Sequence, residues 1–378
     1  MNRCILHVGL PKTGTTAIQR FLRYGLTDPG FHYGELGEVG TGRALAVLFG
    51  SPEDRAVKNT AMGWSDRKMA GYRRRMEREW TRTLEVASRR HATLVLSTEF
   101  CWEMSAVGLD RLRRRLVSGG YEVSVLVYLR PWKAWLESMA QQGLKGVHGH
   151  FTPDLPWAWK DFRGRIQLLD ELFGRPFVQV AKYDPAVFES ACVVQDFCTR
   201  LGIRQAGIRS YRVHESLRLP ALRLLHAYRR FGPGFGTGLS ALQENRRLTH
   251  RLTQLDGPPL RFHSSLVAPI LADLTPQRDW LEKRLGATFQ EDIFRDDSGP
   301  CIRAAEELLR FSPSELAWLS ERTGLPQIPT GDGVAVARQV AVQLHRLRLL
   351  SVSSSAARRF PAWSDWWQRL LAAFDRSG

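Results

Sequence analysis

The chain opens on a short apolar run, residues 3–9, of the kind a strand buried on both faces shows. Residues 15–24 then switch to helical spacing, with Ile18, Phe21 and Leu22 on one face and Thr15 or Thr16 as the expected N-cap. Glycine-rich residues 28–42 read as a loop, and charged residues 66–90 as a helix. HATLVLSTEF at 91–100 is a second strand. Residues 106–118 form a basic helix, and YEVSVLVYLR at 121–130 a third strand behind a Gly119-Gly120 turn. Residues 131–143 read as helix with Pro131 in the first turn, 163–173 as another. RPFVQVAKY at 175–183 is a fourth strand, and 186–201 a helix ending at Gly202.

Strand and helix alternate over about 200 residues, the pattern of βαβ units and a parallel sheet covered by helices. The expected fold class is α/β: a P-loop-like three-layer fold with a central parallel sheet flanked by helices, plus a mostly helical C-terminal region. Three parts follow from the pattern. Residues 1–210 form the α/β core. Residues 211–350 form a helical continuation, with a glycine-rich break at 231–238, a loop at 257–264 and a short helix at 276–286. Residues 351–378 hold a linker and an amphipathic helix bearing Trp363, Trp366, Trp367, Leu370, Leu371 and Phe374 on one face. That face packs on its own domain or makes weak peripheral contact with a membrane.

With 43% hydrophobic residues, the 378-residue chain has enough apolar material for a real core. Lysine and arginine outnumber aspartate and glutamate 54 to 38, a net charge of +16, which suits an anionic partner. The longest basic blocks, Arg73-Arg74-Arg75 and Arg113-Arg114-Arg115, sit in helical sequence and read first as solvated helix faces. No recognisable nucleic-acid module accompanies them, so no nucleic-acid partner is expected. Cys4, Cys101, Cys192, Cys198 and Cys301 are scattered without CxxC spacing, which excludes a disulfide framework and a cysteine zinc site and fits a reducing compartment. No run approaches the roughly 18 apolar residues of a membrane span, and no signal segment precedes the first strand, so a cytoplasmic location is expected. The preference for arginine over lysine suggests a GC-rich, bacterial source.

Ligands of parallel sheets bind at the carboxyl ends of the strands, which here are Gly9–Thr16, Ser97–Trp102 and Arg130 onward. The first is the most informative. In VGLPKTGTTAIQ a strand passes through Pro11, Lys12, Thr13, Gly14, Thr15 and Thr16 into a helix. Inward N–H groups, a helix N-terminus of about half a positive charge, the Lys12 ammonium and the threonine hydroxyls make an anion cradle. The loop fails the Walker A pattern, because Lys12 precedes Gly14 by two residues and no lysine follows that glycine.

PKTGTTA at 11–17 does resemble the 5′-phosphosulfate loop of sulfotransferases that use 3′-phosphoadenosine 5′-phosphosulfate (PAPS). Alanine after the threonine pair is similar to the glycan-modifying branch; the cytosolic branch usually has tryptophan there. The family's second signature, an arginine at a strand end and a serine about eight residues on, both holding the 3′-phosphate, is matched by Arg130 and Ser138 in LRPWKAWLES. AKYDPAVF at 181–188 resembles the fold's late strand and helix. The resemblance spans residues 4–202; it implies that 1–210 is a nucleotide-binding core and 211–350 an acceptor-binding and cofactor-covering part. It departs from the cytosolic branch in lacking a GxxGxWK-like loop; arginines of ENRRLTHR at 244–251 are a candidate replacement.

The resemblance implies sulfuryl transfer from PAPS, without a metal, to a hydroxyl or amine of a carbohydrate or other glycoconjugate, a glycan or glycolipid. Lys12 would neutralise the leaving oxygen. The general base is expected at a strand end beside the loop, and Glu99 of LSTEFCW is favoured; in the segment after the first helix, which holds His32, Glu35 and Glu38, His32 or Glu35 is the alternative, and Glu99 is otherwise a structural carboxylate that orients Lys12 or caps the next helix. Trp102 or Phe100 either stacks on adenine or belongs to the core; His148 and His150 read as a surface loop or an acceptor wall, and His7 as a core histidine. The competing readings are a P-loop small-molecule kinase, which needs magnesium, and a non-catalytic nucleic-acid- or anion-binding protein.

Overall fold

The computed structural model describes residues 2–36, 41–55, 65–146, 151, 161–204, 216–234, 238–331 and 333–350. Glu38, His148, His150 and the tryptophan-rich segment 363–374 lie outside the described residues. The chain divides into two compact units, one made of residues 1–139, 154–215 and 262–299, the other of 140–153, 216–261 and 300–378.

The first unit is built on a five-stranded sheet. β1 (Asn2–Gly9), β2 (Phe31–Tyr33), β3 (Thr93–Thr98), β4 (Tyr121–Leu129) and β5 (Val178–Lys182) lie in the order β2-β3-β1-β4-β5, and every pair is parallel. This is the expected α/β class, a central parallel sheet flanked by helices. β2 falls inside the stretch that reads as a glycine-rich loop. It is a three-residue edge strand held by pairing to β3, too short to show a period of its own.

Helices cover both faces. α1 (Thr15–Tyr24) and α8 (Val193–Leu201) place Ile18, Phe21, Leu22, Val194 and Phe197 in one buried cluster with Val95, Leu126, Tyr128 and Ala181 of the sheet. The opposite pleat of β3, Leu94 and Leu96, meets Thr83 beside Gly34, so α3 (Asp66–Arg89) lies on the other face. α2 (Gly42–Phe49) contacts both α3 and α5 (Ala106–Ser118), and α5 contacts α7 (Phe162–Phe173), completing that layer. A four-residue α4 (Phe100–Glu103) follows β3, and α6 (Trp132–Lys145) follows β4. The expected helix over 186–201 is shorter: Glu189–Ala191 is a 3₁₀ turn, with positive φ at Ser190 and Ala191, and α8 begins only at Val193.

Residues 262–299 belong to the first unit. They contribute α11 (Ser264–Asp273), α12 (Thr275–Leu285) and the segment after them. Glu291 there accepts from the backbone N–H of Lys133 and, at 3.3 Å, of Ala134, satisfying orphan donors of the first turn of α6. The Lys133 ammonium is buried between Asp296 at 2.6 Å and Glu137 at 3.3 Å, and Glu137 accepts from Phe262 N. A buried charge with two carboxylate partners holds one geometry, and here it clamps α6.

The second unit is helical. α9 (Leu219–Phe231) packs on α14 (Val334–Leu350), which also meets α10 (Gly238–Leu252) and α13 (Pro313–Thr323). Tyr228 bonds His345 and Arg348, and Arg348 pairs with Glu244 at 2.6 Å. The ENRRLTHR segment is therefore part of α10. No helix among the described residues is long and apolar enough to cross a membrane.

Candidate functional site

β1, β3 and β4 end level with one another. Val8 is in register with Thr98 on one side and Val127 on the other, and Gly9 with Tyr128. The three strand ends thus deliver residues 10–16, Glu99 and Arg130 to one edge of the sheet.

The loop leaves β1 under close constraint. A Cβ on Gly9 would lie 2.2 Å from the Thr15 hydroxyl, so only glycine lets α1 start this near the strand. Gly14 has φ +79, and a Cβ there would meet Val193 Cγ1 at 2.6 Å. Lys12 also has positive φ, +72. A left-handed lysine costs about 1–2 kcal/mol, and strain of this kind gathers at functional loops. Thr13 turns its hydroxyl back onto the Leu10 carbonyl at 2.7 Å, fastening the turn.

Gly14 is the N-cap of α1 and supplies no side-chain cap, contrary to the expectation of Thr15 or Thr16. The Thr15 hydroxyl is buried with no hydrogen-bond partner among the described residues. A buried, unsatisfied hydroxyl in a loop of left-handed residues is what an anion oxygen would complete.

Two side chains from α6 and the end of β4 tie the loop down. Arg130 Nη1 donates to the Lys12 carbonyl at 3.2 Å, and Trp135 Nε1 donates to the Pro11 carbonyl at 3.1 Å. The Arg130 guanidinium lies 5.6 Å from the Tyr183 ring centroid, and Tyr183 also faces Gly14. Trp135 and Tyr183 carry no sequence signal that separates them from ordinary core aromatics. Only the contacts give them a role.

Lys12 is half-buried, and burial pushes its ammonium below the ordinary lysine value; Glu99 pulls it back up, and Arg130 pushes it further down. Glu99 is exposed. It makes no cap hydrogen bond to α4, and its charge acts on that of Lys12.

His32 is elsewhere. It pairs in register with Leu94, four residues short of Thr98, about 13 Å down the sheet at the usual strand rise. Burial and Arg90 lower its pKa. Glu35 follows β2 and pairs with Arg23 at 3.1 Å. Phe100 and Trp102 are core residues, Trp102 meeting Phe162 edge-on at 5.8 Å. Ser138 is half-buried, two turns into α6.

Beneath the loop, His7 is fully buried with Nδ1 2.8 Å from Ser97 Oγ, edge-on to Tyr128 and Phe197. Burial drives its pKa down to about 3. The Ser97 carbonyl accepts from Gln19 and Thr41, joining α1 and the start of α2 to the end of β3. Among the described residues no group of three or more His, Cys, Asp or Glu is gathered to hold a metal.

The molecule is thus an α/β protein whose parallel sheet carries a constrained strand–loop–helix turn, with a lysine, an arginine and a carboxylate at one edge. No family model and no curated protein matches the chain. Comparison of structures finds a sulfotransferase from Alicyclobacillus acidocaldarius, with 16% identity and a TM-score of 0.35, over 59% of this chain and 89% of that one.

Proposed function

We propose that the protein is a PAPS-dependent sulfotransferase that acts on a hydroxyl or amine of a carbohydrate or glycoconjugate. The observation that carries this reading is the joint placement of Lys12, Arg130 and Glu99: the arginine bonds the lysine's own carbonyl, and the carboxylate acts on the lysine's charge. The PKTGTTA loop, with Lys12 ahead of the glycine, argues for a phosphosulfate over a nucleoside triphosphate.

In this reading PAPS supplies the sulfuryl group. The loop N–H groups of Thr13 to Thr16, the Thr15 hydroxyl and Lys12 hold the 5′ end. Arg130 and Ser138 hold the 3′-phosphate, with Tyr183 and the Lys12 carbonyl fixing the guanidinium. Lys12 neutralises charge on the leaving oxygen. Glu99 takes the proton of the acceptor hydroxyl or amine as its oxygen or nitrogen bonds to sulfur. Its exposure leaves it open to an acceptor from solvent. Five free cysteines fit a cytoplasmic setting.

The test is titration calorimetry with PAP (3′-phosphoadenosine 5′-phosphate), 5′-AMP and ATP with magnesium. Metal-independent PAP binding with 5′-AMP much weaker is expected. No response to PAP, together with ATP–magnesium binding, would overturn the reading in favour of a kinase.

A further inference from the structure

α11 and the start of α12 face residues 289–294 and Trp132, the first residue of α6, around a cavity of about 560 Å³. That volume is in the range that takes a small organic ligand. Much of the wall is apolar: Leu271 and Ala272 from α11, the buried aromatics Trp132 and Phe289, and Phe294 at the mouth. Trp132 and Phe289 meet edge to face at 5.1 Å, and Trp132 stacks on Phe162, which makes this side of the wall firm. Phe294 is 66% exposed. A turn holds it there: its N–H donates to Asp292 Oδ1 at 3.0 Å, and its carbonyl accepts from Asp297 N at 3.0 Å. An exposed phenyl ring continuous with an apolar cavity is surface for a ligand to cover.

The charge of the wall sets the kind of ligand. The chain carries +16, yet the wall holds two carboxylates, Glu291 and Asp292, and, among the described residues, one basic side chain, Arg278. Asp279 holds Arg278 through Nε at 3.1 Å and Nη2 at 2.9 Å. Two lysines come near, each with carboxylates of its own. Lys133 has Asp296 and Glu137; Lys182, which donates to the Gln290 carbonyl at 3.4 Å, has Asp184 at 3.7 Å. Arg295 is exposed and lies outside the wall. Glu291 is occupied by the N–H groups of Lys133 and Ala134. Asp292 is exposed, with one oxygen on Phe294 N and the second left for a ligand. An anion entering here meets two carboxylates, whereas a cation meets a carboxylate and aromatic rings, whose faces attract positive charge.

We infer that this cavity binds a hydrophobic organic cation, an ammonium group on an aromatic or alkyl body. The body lies against Leu271, Ala272 and Phe289, and Phe294 covers it. The ammonium stays at the mouth beside Asp292, since taking it deeper without a paired charge is costly. The wall shares no residue with the loop after β1, with Glu99 or with Arg130, and it selects charge of the opposite sign. It is a second site, and it does not depend on the sulfotransferase reading.

Calorimetry on the full-length protein compares three ligands built on one naphthalene ring: naphthylmethylamine, a cation at neutral pH; naphthalenemethanol, uncharged; and naphthoate, an anion. The amine should bind one to one and at least about ten-fold more tightly than the alcohol, with naphthoate weakest. Attraction to the chain's net charge of +16 alone would rank naphthoate first. That order, or no binding of the amine, overturns the inference. Three variants, each checked by thermal melting, locate the site. Asp292→Asn keeps an oxygen for the Phe294 N–H, Phe294→Ala removes the cover, and Ala272→Trp fills the cavity from an exposed position. Asp292→Asn should cut the amine's advantage over the alcohol about three-fold or more and leave the alcohol as before. Phe294→Ala and Ala272→Trp should weaken both ligands. An unchanged advantage in Asp292→Asn, or unchanged amine binding in Ala272→Trp, places the ligand elsewhere, and the inference falls.

Discussion

Arg130 Nη1 donates to the carbonyl oxygen of Lys12 across 3.2 Å, so the end of β4 and the loop after β1 form one hydrogen-bonded unit. The contact brings a guanidinium against the backbone of a lysine held at φ +72. The guanidinium and the Lys12 ammonium, two cations that repel, thus share one edge of the sheet. An anion is the natural third partner.

Arg130→Ala removes the support of the Lys12 carbonyl and, under the proposed function, the fork that would hold the 3′-phosphate. PAP affinity should fall by about 2–5 kcal/mol, the usual loss when one member of a buried charge pair is deleted. Calorimetry with PAP and 5′-AMP checks this. The variant should bind the two alike, and a retained preference for PAP would place the 3′-phosphate away from Arg130.

Lys12 gives the site a pH signature. Burial disfavours its charged form, so in the free protein it loses its proton at a lower pH than an ordinary lysine. A bound anion favours the charged form. PAP affinity should therefore fall as pH rises through the depressed free-state value, starting below the ordinary lysine range. Lys12→Ala should abolish that alkaline limb and most turnover while leaving the melting profile cooperative. An unchanged limb in the variant would assign it to another group.

Glu99→Gln should act in two places. If Glu99 is the base, turnover drops by about 10²–10⁴. Its negative charge also sustains the charge on Lys12, so its removal should shift the alkaline limb of PAP binding to still lower pH. A shifted limb with full turnover would leave Glu99 as an electrostatic partner of Lys12 and move the base elsewhere.

Gly9→Ala tests the packing beneath the loop. The new methyl would lie 2.2 Å from the Thr15 hydroxyl, so α1 must move. Overpacking of this kind costs about 1–3 kcal/mol, and denaturant unfolding should show it. Thr15→Ser in the same background, which keeps the hydroxyl and removes the methyl, should recover little of that loss.

His7 predicts an acid weakness. Its folded-state pKa is lowered to about 3, while in the unfolded chain it is near the ordinary 6.5. Between those values the unfolded chain binds a proton that the folded protein does not, so stability is complete above about 6.5 and declines as pH falls. The slope is at most about 1.4 kcal/mol per pH unit. Unfolding midpoints between pH 4 and 7 measure it, and His7→Gln should flatten the curve.

Continuous apolar runs in β1, β3 and β4, and helical spacing in α1, α3, α5 and α7, made the α/β alternation and the glycine–lysine–threonine turn legible in the sequence. These are local properties, in which burial on both faces or on one stripe leaves a period in the residue types. Arg130 was legible as well, because a charged residue directly after an apolar strand marks a strand end. Other features depended on tertiary structure. β2 exists through its pairing with β3, since three residues carry no period. The separation of Glu99 from His32 follows from strand register, which puts one at the carboxyl edge and the other about 13 Å below it. Trp135 and Tyr183 act on the loop through an indole N–H and a ring face whose targets lie 124 residues away in Pro11 and 53 residues away in Arg130. The return of residues 262–299 to clamp α6 is likewise invisible along the chain, because a carboxylate such as Glu291 reads as surface until a helix N-terminus is placed against it. Apart from β2, local pattern determined the elements of the sheet core; their contacts across the sheet decided which side chains meet.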